Sequence, residues 1–237
     1  MTNYSYIGSE LELFSEARNW KAYYRQSIKK YLGAEVLEVG AGIGSTTEFL
    51  CRGNHQRWLC LEPDPQLAKT LNSYIASGSL PNCCELKVGT LLDLSPKEKF
   101  DNIIYIDVLE HIKDDKFEIK NVYGHLKEGG FLVVLAPAHQ WLFTPFDEAI
   151  GHYRRYNKRM LKAIISSDKF KCISLKYLDC VGLIASLGNR LLLKSKMPNK
   201  QQILLWDKVM VPISKIVDPL IQYSVGKSIL GIWQKRL

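Results

Sequence analysis

The segment from Val36 to Gly44 is the part of the sequence that most constrains the fold. A short apolar run containing Glu38 is followed by three glycines at alternating positions. The run predicts a buried parallel strand. The glycines predict a tight turn in which the backbone can approach a ligand closely. Residues 45–52 then begin like a helix, so we expect a ligand at the end of the first strand, against a helix N-terminus.

The spacing of these glycines indicates which ligand the loop takes. A dinucleotide fingerprint needs G-x-G-x-x-G, and Ser45 stands where its third glycine belongs. Glu38 would repel a pyrophosphate but suit a cationic ligand. The loop resembles motif I of class I S-adenosylmethionine-dependent methyltransferases. This resemblance implies S-adenosylmethionine as cofactor, S-adenosylhomocysteine as product, and cofactor contacts from Glu38, Gly40, Ala41, Gly42 and Gly44. A nicotinamide oxidoreductase is the competing prediction, and the spacing disfavours it.

Strand and helix patterns alternate along the rest of the chain. Strands are predicted at 36–39, 57–61, 85–88, 101–106, 131–135, 171–178 and 228–234. Helices are predicted within 9–32 and at 45–52, 66–77, 116–126, 158–167, 181–194 and 201–223. This order predicts an α/β fold: a Rossmann-like, doubly wound, mostly parallel sheet with helices on both faces.

Length and composition predict one domain with a sizeable core, since the chain has 237 residues and is 46% hydrophobic. We expect an N-terminal helical lid (1–33), a cofactor-binding core (34–137), and a substrate loop with C-terminal helices and a last strand (138–237). No apolar run reaches about 18 residues and no secretory signal is recognisable, which predicts a cytoplasmic protein. The six cysteines lack metal-ligand spacing. Reduced thiols and no metal site are therefore expected.

Positive charge concentrates towards the C-terminus. The net charge is +8, and residues 190–237 carry nine lysines and arginines against two aspartates. Two interpretations stay open: a solvated basic face, or a surface for anionic lipid or an anionic substrate. Nucleic acid is not expected, because the segment is as rich in Leu, Ile and Val as in charge. Peripheral contact with an anionic membrane is thus a prediction, for a monomer or a homodimer.

Polar residues follow the second, third and fourth predicted strands. Glu62, before Pro63, can accept hydrogen bonds from both ribose hydroxyls of a nucleoside. The alternative is a helix N-cap, a role that Asp64 fills better. The resemblance implies that Thr90 and Leu91 lie along the adenine. The sequence D-V-L-E-H-I after the fourth strand resembles motif IV of small-molecule methyltransferases, which implies that Asp107, Val108 and His111 lie near the methionine part and the reaction centre.

The connection after the fifth strand, residues 138–156, is rich in His, Asp, Arg and aromatic residues. Loops at this edge of an α/β sheet carry substrate contacts. With its Gly-His-Tyr-Arg-Arg-Tyr motif at 151–156, the connection resembles a bacterial methyltransferase subfamily, many of whose members occur beside or fused to glycosyltransferases. Candidate catalytic residues are His152, His111, Asp147 and His139. Candidate substrate contacts are Trp20, Tyr24, Trp141, Phe143, Glu148, Arg154, Arg155 and Tyr156.

Structural roles remain open for several of these residues. Asp147 can pair with Arg154 or Arg155 and simply hold the connection in place. His111 can be a residue that only packs at a helix start, and Trp20 or Tyr24 can belong to the core.

The predicted function is methyl transfer from S-adenosylmethionine to nitrogen or oxygen of a small-molecule acceptor. One alternative acceptor is a lipid-linked saccharide or envelope precursor at the membrane surface. A second alternative is a cofactor-binding regulator without turnover. The intact acid–glycine loop, Glu62 and the D-V-L-E-H-I strand end argue against the regulator.

Overall fold

The computed structural model describes residues 6, 10–188 and 198–236 of the protein. The end of the helix predicted at 181–194 lies outside this range, as do the basic residues Arg190, Lys194 and Lys196. Interpretations that involve these residues stay predictions.

Seven strands form one sheet in the order β3-β2-β1-β4-β5-β7-β6. The strands are β1 (Glu35–Val39), β2 (Arg57–Glu62), β3 (Cys84–Val88), β4 (Phe100–Ile106), β5 (Leu126–Pro137), β6 (Phe170–Leu178) and β7 (Ser228–Lys235). Neighbouring strands from β3 to β5 pair in parallel, whereas β7 is antiparallel to both β5 and β6. The predicted Rossmann-like α/β fold is confirmed.

The helices lie mostly where the sequence pattern places them. They are α1 (Glu10–Ser15), α2 (Arg18–Ile28), α3 (Thr47–Leu50), α4 (Pro65–Ala76), α5 (Asp115–His125), α6 (Pro145–Ala149), α7 (Lys158–Ile164), α8 (Cys180–Gly188), α9 (Lys200–Leu205) and α10 (Val211–Leu220). The helix predicted at 45–52 is wrong in length, because turns occupy its first positions and α3 has one turn. A π-helical turn, Trp206–Met210, joins α9 to α10. Every helix among the described residues is too short or too polar to cross a bilayer.

Two apolar clusters cover the two faces of the sheet. Successive residues of β1 belong to opposite clusters: Leu37 packs on one face and Val36 on the other. The same alternation holds for Leu59 and Trp58 in β2. Because helices cover both faces, the central strands are apolar throughout, which is why they read as short continuous hydrophobic runs.

The strand order places a binding crevice between β1 and β4. From β1 the chain proceeds outward through β2 and β3, then returns to β4 on the other side of β1. Ligands of open α/β sheets bind outside the carboxyl ends of strands at such a switch point. The glycine loop after β1 and the D-V-L-E-H-I segment after β4 meet there, as predicted.

Buried carboxylates fasten the C-terminal helices to the rest of the fold. Asp218 of α10 accepts hydrogen bonds from the Tyr23 hydroxyl (2.7 Å) and from the backbone N–H groups of Asp179 (2.7 Å) and Cys180 (3.0 Å). Asp207 accepts from the backbone N–H groups of Asn19 and Trp20 at the start of α2. These acids satisfy helix N-terminal donors that would otherwise be buried without partners.

Replacing Asp218 with alanine removes three hydrogen bonds and leaves buried donors unsatisfied. We expect the free energy of unfolding to fall by about 3 kcal/mol. Asp168→Ala, at an exposed position, is the matched control and changes stability by less than about 0.5 kcal/mol. Urea denaturation followed by circular dichroism measures both variants. Equal stability of the two would contradict the role given to Asp218.

Candidate cofactor and acceptor site

A cavity opens at the carboxyl ends of β1 and β4. Its walls come from the glycine loop, the end of β4, helices α1 and α2, and the connection that contains α6. Ten sequence-predicted residues line it: Trp20, Tyr24, Gly40, Ala41, Gly42, Asp107, His111, Asp147, His152 and Arg155. Trp20 and Tyr24 are also buried. These two aromatic side chains therefore pack in the core and form part of the cavity wall.

The first two glycines of the loop have different reasons to be glycine. Both have left-handed backbones, with φ of +67° at Gly40 and +56° at Gly42. A Cβ on Gly40 would lie 2.6 Å from a methyl of Val108, so Gly40 permits the loop to pack on the end of β4. A Cβ on Gly42 would have only Leu11 within 4 Å, at 3.7 Å. Gly42 therefore keeps open space at the cavity wall.

Glu62 links the glycine loop to the end of β2. Its carboxylate accepts hydrogen bonds from the backbone N–H groups of Gly42 (2.7 Å) and Asp64 (2.9 Å). Burial raises the pKa of Glu62, and these two N–H groups oppose the shift. Asp64 provides the N-cap of α4 through Gln66 and Leu67. The N-cap alternative for Glu62 is thereby removed, and its ribose contact stays a prediction.

Glu38 and Gly44 support the loop from behind rather than line the cavity. The Glu38 carboxylate accepts hydrogen bonds from the Thr47 hydroxyl (2.8 Å) and the Trp58 indole N–H (2.7 Å). Burial raises its pKa to about 7. A Cβ on Gly44 would lie 2.6 Å from Leu71 of α4. Glu38 therefore positions α3 against β2, and direct contact with a cationic ligand has no support in this geometry.

Asp107 is the acidic residue at the end of β4, and its backbone is left-handed, with φ of +54°. Non-glycine residues held in this region concentrate at functional sites because the conformation costs energy. More than a third of its surface is accessible, yet it lines the cavity, where the surrounding protein raises its pKa to about 6. The charges of His152 and Lys227 oppose that shift.

His152, from the Gly-His-Tyr-Arg-Arg-Tyr motif, is oriented by Asp147. The two atoms Nδ1 of His152 and Oδ1 of Asp147 lie 2.9 Å apart. An ionised carboxylate only accepts, so in the neutral imidazole Nδ1 carries the proton and Nε2 is left as an acceptor. Nε2 lies 3.8 Å from a carboxyl oxygen of Glu110. The rings of His152 and His111 meet edge to face, with centroids 4.5 Å apart.

Burial shifts the charge of the groups around His152. It lowers the pKa of His111 to about 3, so that imidazole is neutral near pH 7. It raises the pKa of Glu110 well above its usual range, and the charge of Asp107 adds to this shift. Both carboxyl oxygens of Glu110 are buried without a hydrogen-bond partner. These groups can therefore offer hydrogen bonds to a ligand that enters the cavity.

Asp147 holds the connection in place as well as orienting His152. Its carboxylate accepts two hydrogen bonds from the Arg155 guanidinium (2.7 and 2.8 Å) and two from Thr144 (2.8 and 2.9 Å). Hydrogen bonds from His152 and Arg155 lower the pKa of Asp147 despite the opposing effect of burial. The structural pairing predicted for Asp147 is present, with Arg155 as the partner. Asp147 acts through His152, as a positioning residue.

Several predicted residues do not line the cavity. They are Glu38, Gly44, Glu62, Pro63, Thr90, Leu91, Val108, His139, Trp141, Phe143, Glu148, Arg154 and Tyr156. The Arg154 guanidinium is bound by Asp115 (2.7 Å) and by backbone carbonyls of Ile112 and Lys113, so the predicted grip on substrate is not formed. His139 stacks on Tyr177 with ring centroids 4.7 Å apart.

The remaining members of this group have other local roles. Tyr156 is buried and bonds to Asp115 (2.8 Å), whereas Trp141 and Glu148 are exposed. Leu91 is in the core, and Thr90 caps a short 3₁₀ turn with Asp93. Sequence proximity to a motif does not decide which way these side chains point.

Other lining residues were not predicted from the sequence, among them Tyr6, Lys21, Trp206 and Lys227. Lys21 lies beside the aromatic stripe of α2, and burial lowers its pKa to about 8. Burial also lowers the pKa of Lys227, whose Nζ lies 4.3 Å from the centre of the Trp206 ring. A lysine next to a buried aromatic stripe was the available signal for Lys21. For Lys227 the sequence offered only the basic C-terminal segment.

Lysines and carboxylates thus face the same cavity, an arrangement that suits a zwitterionic ligand. The Lys21 ammonium donates to the carbonyls of Phe14 and Ser15 at the cavity wall. Asp107 provides an acidic group in the same lining, and the Glu110 carboxyl provides hydrogen-bonding oxygens without a partner. An amino-acid portion carrying both an ammonium and a carboxylate can be satisfied there.

Two groups of side chains are close enough to ligate a metal, although the sequence predicted no metal site. Glu110, His111 and His152 form one group in the cavity. Cys51, Cys83 and Cys84 form the other, with Sγ atoms 3.5 and 3.6 Å apart. All three are free thiols. The fold gathers cysteines whose sequence spacing gave no indication of a cluster.

Parts of the chain are similar to a known protein family and to curated proteins. Residues 37–132 match the family described as a methyltransferase domain. Over 109 residues the chain is 26% identical to a ubiquinone biosynthesis O-methyltransferase of Bradyrhizobium diazoefficiens, a match covering 46% of this chain and 42% of that protein. Over 133 residues it is 25% identical to ajmaline N-methyltransferase of Rauvolfia serpentina, covering 56% and 44%. The chain thus spans less than half the length of these two curated relatives.

The whole fold is also similar to solved structures. With an S-adenosylmethionine-dependent methyltransferase from Clostridium acetobutylicum the TM-score is 0.60 at 14% identity, covering 94% of this chain and 93% of that one. At that identity the likeness shows the fold alone. Residues 37–132 therefore resemble a methyltransferase domain, and the fold of the chain is similar to the Rossmann-like fold of that solved structure.

Proposed function

We propose that this chain transfers the methyl group of S-adenosylmethionine to a nitrogen or oxygen of a small-molecule acceptor. The observation that carries the proposal is the position of His152. An imidazole oriented by a buried carboxylate lies in the same cavity as the glycine loop and Asp107. Cofactor-holding groups and a proton-accepting group therefore face one space.

The cofactor contacts follow from the lining. Gly40 and Gly42 let the backbone approach the cofactor. Glu62, which holds Gly42 from outside the lining, is the proposed acceptor for the ribose hydroxyls. Asp107 suits the ammonium and sulfonium charges, and Lys21 suits the carboxylate. When bound, S-adenosylmethionine supplies an electrophilic methyl group on its sulfonium.

On the acceptor side, the chain supplies alignment and a base. Nε2 of His152 takes the proton of a hydroxyl or ammonium acceptor, and Asp147 stabilises the imidazolium that results. Neutral His111 and the unpartnered Glu110 carboxyl offer hydrogen bonds that orient the acceptor. Trp20, Tyr24 and Phe146 exclude water from the cavity. Orienting the two reactants can contribute about 7–11 kcal/mol to rate acceleration.

The names of the relatives include both O- and N-methyltransferases. The proposal accordingly covers both kinds of acceptor atom. An aliphatic hydroxyl acceptor depends on His152 as base throughout the working pH range, whereas an amine needs it only below the pKa of the amine. The pH profile of turnover therefore distinguishes the two once an acceptor is in hand.

Replacing Gly42 with alanine tests the cofactor loop. The new methyl group would enter the open space at the cavity wall, and we expect the affinity for S-adenosylmethionine to fall at least about tenfold. Gly129→Ala is the matched control, since Gly129 also has a left-handed backbone, with φ of +74°, but does not line the cavity. Isothermal titration calorimetry measures both affinities.

The free energy of unfolding is expected to fall by a similar amount in both alanine variants, about 1–2 kcal/mol, because both place a Cβ on a residue with a left-handed backbone. Stability measurements therefore confirm that the comparison is matched. Unchanged affinity of the Gly42 variant, or an equal loss in the Gly129 variant, would contradict the placement of the cofactor at this loop.

Replacing His152 with alanine tests the acceptor side. Turnover is expected to fall about 10²–10⁴-fold, with little change in cofactor affinity, because the base is lost but the cofactor contacts remain. Release of S-adenosylhomocysteine in a panel of amines, phenols and glycosides is the assay. His55→Ala, which removes an imidazole outside the cavity lining, is the control.

Equal turnover of the wild type and the His152 variant would leave His152 as a structural residue. Cofactor binding by the wild type without turnover on any acceptor would instead favour a non-catalytic regulator.

A further inference from the structure

The helical segment 200–220, which runs from α9 through the π-helical turn to α10, exposes aliphatic side chains and buries acidic ones. Its buried positions are Ile203, Trp206 and Val211 together with the polar residues Asp207, Ser214 and Asp218. Its exposed positions carry large aliphatic side chains: Leu205 (54% exposed), Val209 (48%), Ile213 (45%), Ile216 (69%) and Leu220 (77%). A helix on the surface of a water-soluble protein normally exposes polar and charged side chains on that outer side.

The polar residues on the buried side have partners that explain their position. Asp207 and Asp218 accept N–H groups at the starts of α2 and α8. Ser214 donates to Asp179 (2.7 Å) and accepts from the backbone N–H of Val181 (3.1 Å). These hydrogen bonds explain which residues lie on the inward side of the segment. They do not explain why large aliphatic side chains are exposed on its outward side.

These aliphatic residues form one continuous stripe. They recur at intervals of four, four, three and four residues, which places them on one side of a helix. Helix α8, which packs against α10, also exposes an aliphatic side chain, Ile184, which is 70% exposed. We call Leu205, Val209, Ile213, Ile216 and Leu220 the aliphatic face. Contiguous exposed apolar patches of this kind mark interaction sites.

The exposed charges that segment 200–220 itself carries are all positive. The exposed charged residues of segment 200–220 are Lys200, Lys208 and Lys215, because Asp207 and Asp218 are buried. Lys200 pairs with Glu16 of the neighbouring N-terminal region (3.0 Å). Lys208 and Lys215 are seven residues apart and therefore project on the same flank of the stripe. An occupant with an apolar interior and an anionic surface matches this pattern.

We propose that the aliphatic face docks on the surface of an anionic lipid bilayer. Aliphatic side chains enter the headgroup–acyl boundary, and the flanking lysines contact anionic headgroups, as in interfacial amphipathic helices. A second copy of this chain fits less well. In a two-fold interface through this face, the lysine flank of one copy would meet identical charges on the other.

Docking through this face would bring the cavity close to the lipid surface. Trp206 belongs to the same helical segment and lines the cavity on its inner side. The docking proposal does not depend on methyl transfer, and its test needs no acceptor.

Vesicle co-sedimentation of the full chain tests the proposal. The wild type is expected to sediment with mixed phosphatidylcholine–phosphatidylglycerol vesicles, less with phosphatidylcholine alone, and less as salt is raised. The double variant Ile216→Gln/Leu220→Gln is expected to bind the mixed vesicles at least about tenfold more weakly. Lys208→Gln and Lys215→Gln are each expected to weaken binding about fivefold.

A matched control replaces two exposed aromatic residues outside the aliphatic face, Tyr74 (44% exposed) and Phe117 (48%), with glutamine. This control should bind vesicles like the wild type, and circular dichroism checks that every variant is folded. Absence of wild-type binding to the mixed vesicles, or equal binding by the Ile216/Leu220 variant, overturns the proposal. A wild-type dimer in analytical ultracentrifugation that the same double variant dissociates, without vesicle binding, would assign the face to a second copy and also overturn it.

Discussion

The close approach of the glycine loop to its neighbouring strands is the constraint on which the site depends. Gly40 must pass so near Val108 that a Cβ would lie 2.6 Å from its methyl group. Gly42 donates to Glu62 at the end of β2. These contacts tie the ends of β1, β2 and β4 together at the switch point of the sheet. The cavity exists because this turn is made without side chains.

Charge in the cavity is balanced rather than of one sign. The surrounding protein raises the pKa of Asp107, and burial lowers the pKa values of Lys21 and Lys227. Interactions among these residues partly offset the cost of burial. A ligand with both charges can take over these interactions on binding. The Asp147–His152 pair is separate, because Asp147 is already satisfied by Arg155 and Thr144.

Strand positions and site residues could be predicted from the sequence where a residue type has a single physical reason to occupy its position. The apolar runs of β1 to β5 reflect burial on both sheet faces, so their positions could be predicted. Gly42, Asp107 and His152 were found because motifs follow strand ends that meet at one edge. Side-chain direction was not predictable: Glu38 turns behind the loop, and Arg154 binds Asp115 instead of facing the cavity. Lys227 reaches the site from just before β7, a contact that depends on the antiparallel placement of that strand.

Calorimetric titration of the full chain with S-adenosylmethionine, S-adenosylhomocysteine and NADH tests the central claim most directly. The glycine spacing, Asp107 and the two cavity lysines, Lys21 and Lys227, predict about micromolar binding of S-adenosylmethionine and S-adenosylhomocysteine. They predict no binding of NADH. Binding of NADH alone, or of none of the three, would contradict the assignment of this cavity to S-adenosylmethionine.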